Sequence, residues 1–139
     1  MTSHASAFSI DSVRRLSGAT KVCALGLLLT AAAMLVQVAA GSTLYPSIAG
    51  PVVLTVAAIL VVFGPARFAP WIGLIVPLVL GIGAVAAAAM TGVFIDQLTD
   101  PGQPGLLLGS VMHVVGLIAA IGGGLSMVLD RRTTVERGR

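Results

Sequence analysis

The residues of this chain whose types could do chemistry are few and sit in long apolar surroundings. They are His113, Ser110 three residues before it, Gln37, Thr55, Thr91, three methionines (Met34, Met90 and Met112), the lone Cys23, and the carboxylates Asp96 and Asp100. Ser110 and His113 would share a helix face, and an imidazole beside a hydroxyl is the minimum of a base and nucleophile pair. The sequence sets no fixed acid to orient that imidazole, and it holds no paired carboxylates and no three-ligand metal set, so it argues against an enzyme. The thioethers and His113 could gather a soft ion such as Cu(I), and one imidazole could serve as an axial haem ligand. Methionine is equally a routine filler of apolar packing, so the expectation is no metal and no cofactor. Gly81-x-Gly83-x-x-Ala86 copies the spacing of a dinucleotide fingerprint, but it follows no strand and lies in the middle of an apolar run.

The elements that must position these residues are dictated by composition. Of 139 residues, 57% are hydrophobic and only 9% charged, where a soluble domain carries about 25% charged residues. Lipid is therefore the expected solvent. Four apolar runs emerge, at residues 22–40, 48–63, 71–95 and 106–129. The last gives roughly 36 Å of helix, enough to cross a hydrocarbon core of about 30 Å. The second is short and rich in Val and Ile, yet an isolated strand in lipid would leave its backbone groups unsatisfied, so helix is expected there too. Pro77 interrupts the third run by removing a backbone donor. The expected fold is an all-α membrane protein, four transmembrane helices in an antiparallel up-down-up-down bundle. Residues 1–21 form a polar N-terminal tail, and residues 130–139 a short charged C-terminal tail with no fold of its own.

Orientation follows from charge. The net charge is +3, and the eight basic residues are Arg14, Arg15, Lys21, Arg67, Arg131, Arg132, Arg137 and Arg139. They occupy the two tails and the loop after the second run, which four crossings place on one side. The positive-inside rule makes that side cytoplasmic, with both termini in. Arg14-Arg15 ahead of the first run has the outline of a secretory signal, but the apolar run is too long for one and further spans follow. Tyr45 and Trp71 fit interfacial anchors. The basic balance is thus a matter of topology rather than nucleic acid, and the expected location is the plasma or inner membrane of a bacterium. The tails would meet anionic lipid. Cys23 alone cannot form an internal disulfide.

Two faces stand out within this frame. On the fourth run Gly105, Gly109, Met112, His113, Gly116, Ala120, Gly123 and Met127 recur at three- and four-residue steps, and on the first Gly26, Thr30, Ala33 and Gln37 do the same. Small residues let helix backbones approach closely in lipid, where the hydrophobic effect gives helices no reason to associate. By depth, Gln37, Thr55, Thr91, Ser110 and His113 all fall in the outer leaflet half, with Asp96 and Asp100 just above. Two functional expectations result. One is an accessory or scaffold subunit that packs through the glycine faces of the third and fourth runs, with Gly105, Gly109, Gly116 and Gly123 as packing positions, against a second copy or a larger complex. The other is a binding protein for a lipid, quinone or similar small molecule, held in an outer-leaflet polar pocket by His113, Gln37, Ser110, Thr55 and Thr91.

Overall fold

The computed structural model describes residues 17–41, 48–65, 67–92, 95–96, 99 and 102–137. Their main elements are helices, α1 (Gly18–Ala39), α2 (Ala49–Phe63), α3 (Ala69–Thr91) and α4 (Pro104–Arg137), with no strand among the described residues. Three helices are long and apolar enough to cross a membrane: α1, α3, and α4 from Pro104 to Thr133. The fourth, α2, has 15 residues. Arg14, Arg15, Tyr45 and Asp100 lie outside the described residues.

Local chemistry sets the helix ends. Ser17 caps α1, its Oγ accepting from the backbone N–H of Thr20 at 3.2 Å, so the helix starts inside the segment the sequence suggests is tail. Pro70 stands in the first turn of α3, where its missing N–H costs nothing. Gly92 ends α3 at φ 68°, a left-handed C-cap, and so α3 stops short of the expected Ile95. α4 does not stop at Leu129 as the sequence suggests. It continues through the charged segment to Arg137, because neither Gly nor Pro interrupts residues 125–137 and Arg and Glu are good helix formers. At 34 residues it is about 51 Å long.

The spine of the molecule is the antiparallel pair α1 and α4, the most extensive contact between elements. Gly109, Gly116 and Gly123, seven residues apart, meet α1 in succession at Gln37, Thr30 and Cys23. A Cβ at Gly123 would lie 2.5 Å from the backbone nitrogen of Cys23, and one at Gly26 would run into the backbone of Gly116 and Ala120. Gly105, at the far end, faces Ala40 more loosely. Repetition every seven residues keeps one narrow stripe against a neighbour in left-handed pairing. The glycine face of α4 is thus covered by α1 of the same chain.

α3 joins this spine only through its first half. A Cβ at Gly124 would lie 2.5 Å from the carbonyl oxygen of Gly73, and the buried residues of α3 are Ala69, Pro70, Gly73 and Pro77, with none beyond. Pro77 has no N–H for the carbonyl of Gly73 four residues earlier. The buried thiol of Cys23 donates to that same oxygen, Sγ to O 3.4 Å. In a medium without water every backbone group needs an internal partner, and here a cysteine from α1 supplies the one that proline removes from α3.

Two outcomes check this packing by reversible unfolding in detergent. Gly123→Ala should destabilise the protein by about 1–3 kcal/mol, because backbone must move. Gly122→Ala next to it, with open space at its Cβ, should be neutral or gain up to about 1 kcal/mol. Cys23→Ala should cost on the order of 1 kcal/mol and Cys23→Ser should restore it, the loss shrinking when Pro77→Ala returns the missing donor.

Candidate ligand groove

Ser110 and His113 ride on α4 beside the glycine stripe, and Gln37 reaches them from α1. Gln37 and Ser110 are fully buried and His113 is 3% exposed. The glycine spacing explains how a large amide fits there. A Cβ at Gly109 would lie 2.5 Å from the Cγ of Gln37, so the glycine vacates the volume that the side chain fills. Gln37 Nε2 donates to Ser110 Oγ at 3.5 Å, the outer limit of a hydrogen bond. Its Oε1 is buried and receives no hydrogen bond among the described residues.

The structure brings Gln37 and Ser110 into contact, buries His113 about one turn further along α4, and leaves the other two candidates outside. Thr55 is exposed on α2 and donates to the carbonyl of Pro51 at 2.8 Å. Thr91, exposed on α3, donates to the carbonyl of Ala87 at 2.7 Å. Each hydroxyl satisfies itself on its own helix four residues back, the usual solution for Thr in an apolar medium. The methionines do not converge either: Met34 is buried with its methyl against Gly50, whereas Met90 is 86% exposed. Asp96 is exposed. Among the described residues no group of three His, Cys, Asp or Glu side chains is placed to hold a metal ion.

Of the candidate residues His113 alone borders a groove between α3 and α4, about 630 Å³ in volume, while Gln37 and Ser110 do not line it. Its walls include Leu78, Ile82 and Val85 from α3 and Val114, Leu117 and Ile118 from α4. Among the described residues His113 is the one lining residue with a polar side chain, the others being Gly, Ala, Val, Leu and Ile. The volume falls in the range of about 300–1,000 Å³ usual for small-molecule sites, where an apolar lining with one or two polar groups fixes orientation. The groove opens because α3 has no buried residue beyond Pro77, and its small Ala84, Ala86, Ala88 and Ala89 leave the space unfilled. An imidazole at such a wall can donate one hydrogen bond or accept one. That suits a carbonyl or hydroxyl at the end of an otherwise apolar molecule. The apolar walls were invisible to a search for polar residues; the proline followed by a run of small residues was the available signal.

The weak amide contact has a measurable consequence. Gln37→Leu should change unfolding stability by less than about 1 kcal/mol, since it removes a buried carbonyl that gains little. Thr55→Val and Thr91→Val should change neither stability nor any binding in the groove. Comparison with known families, characterised proteins and solved structures finds no match for this chain.

Proposed function

We propose that this chain is a non-enzymatic multi-pass membrane protein that holds one small lipophilic molecule in the groove between α3 and α4. The molecule has an apolar body and a single hydrogen-bonding head, as a quinone or a simple lipid has, and the head meets His113. The observation that carries this reading is the coincidence of the groove with the imidazole: about 630 Å³ of apolar space whose only polar lining side chain among the described residues is His113. An ionisable residue within a membrane segment is a functional hypothesis by default. The scaffold reading loses its main surface, because α1 of the same chain covers Gly109, Gly116 and Gly123. It keeps one support, the far half of α3, which buries no residue within the chain and is open to a partner helix.

In this proposal all four helices cross the membrane, α2 with the help of its flanking residues and local thinning of the bilayer. Both termini and the loop holding Arg67 lie in the cytoplasm, by the distribution of basic residues. The groove then opens sideways into the outer leaflet, so that its occupant enters from lipid.

The test is gentle extraction from native membranes followed by native mass spectrometry and solvent extraction of what is retained. The expected result is one lipophilic molecule per chain, lost in Ala88→Phe, which fills the groove, and retained roughly tenfold less in His113→Leu, the loss of one hydrogen bond. No retained molecule, or equal retention in all three proteins, would sink the reading. A stoichiometric protein partner lost on bulky substitution in the far half of α3 would favour the accessory role instead.

A further inference from the structure

We infer that a second cleft, at the Cys23 end of the bundle, is a headgroup site for a phospholipid carrying both a phosphate and a primary ammonium, the phosphatidylethanolamine type. The inference rests on the membrane placement proposed above but not on the groove. The cleft has a volume of about 380 Å³. Its apolar side includes Val61, Pro70 and Met127, and its polar side is Ser17, Thr20, Asp130 and Arg131. A lining divided in this way matches the junction of a lipid, where chains give way to headgroup. It also lies where α4 passes from apolar to charged sequence.

Each polar group has a role in that chemistry. Arg131 donates from Nη1 to the carbonyl of Arg67 at 2.7 Å, which fixes the guanidinium at the rim and leaves the rest of its donor fork for a phosphate. The Arg67 guanidinium stands 4.5 Å from the centre of the Phe68 ring, which holds a second positive charge by the same loop. The hydroxyls of Ser17 and Thr20 are hydrogen-bonded to each other at 2.9 Å, so the pair has one O–H left to donate. Asp130 distinguishes among lipids. Its carboxylate would repel a purely anionic headgroup, and it accepts hydrogen bonds from a primary ammonium but gets none from a quaternary one, which has no N–H. Phosphate for Arg131 and ammonium for Asp130 use both charged groups of the lining among the described residues.

The experiment uses the full chain, delipidated in detergent and returned in turn to phosphatidylethanolamine, phosphatidylcholine and phosphatidylglycerol, with bound lipid counted by native mass spectrometry. Phosphatidylethanolamine should be retained about tenfold over the other two, Arg131→Gln should remove most of that binding, and Asp130→Asn should erase the margin over phosphatidylcholine. Soluble phosphorylethanolamine at the same concentration should not displace the lipid. Equal retention of the three lipids, a margin that survives Asp130→Asn, or displacement by the soluble headgroup would each overturn the assignment. Should Arg131→Gln not fold, the wild-type ranking and the isosteric Asp130→Asn decide the matter, and neither depends on whether His113 retains a molecule at the other end.

Discussion

Everything in this molecule depends on how closely two backbones approach along α1 and α4. Dispersion contacts are individually weak and fall off within an ångström of excess separation, so a pair of helices in lipid is held only if side chains stay out of the way. Glycine at residues 109, 116 and 123 keeps them out at every second turn, opposite Gln37, Thr30 and Cys23. The other two helices are laid onto this pair. α2 leans on α1, with Gly50 against Met34, and buries Leu54, Ala57, Ala58 and Val61, and α3 leans on α4 through Gly73 and Gly124.

That division makes the two ends of the bundle unlike. At the Cys23 end three helices meet through Cys23, Gly73 and Gly124, with carbonyl and thiol hydrogen-bonded. Toward the Gln37 end α1 and α4 stay together while α3 buries no further residue, and the space left over is the groove. Close packing and an open groove are thus alternatives along the same pair of helices. Beyond Pro77 the wall on α3 mixes Ala84, Ala86, Ala88 and Ala89 with Leu78, Ile82 and Val85, and the largely buried His113 borders the space between that wall and α4.

Much of this was legible from residue order, and what was not has a physical cause. The helical character of all four runs and the small-residue stripes of the first and last follow from composition and period alone. A stripe identifies a face but not its neighbour, so the same glycines that pack against α1 read equally as a surface for a second protein. Facing is less legible: Thr55 and Thr91 stand on exposed surfaces of their helices and bond to carbonyls four residues back, since rotation about a helix axis is decided by packing. The charged segment after Leu129 reads as a tail because charge marks the end of a membrane crossing, but charge does not mark the end of a helix, and α4 runs on to Arg137.

The sulfur on α1 and the imino ring on α3 also tie together two positions that lie far apart in the chain. Pro77 creates the need that Cys23 answers, through the oxygen of Gly73. A descendant that replaced the proline would be released from keeping the cysteine, whereas one that lost the cysteine first would carry a stranded acceptor. The two positions are therefore expected to change in a preferred order during divergence, proline before cysteine, and their covariation would trace a contact that neither residue's chemistry announces.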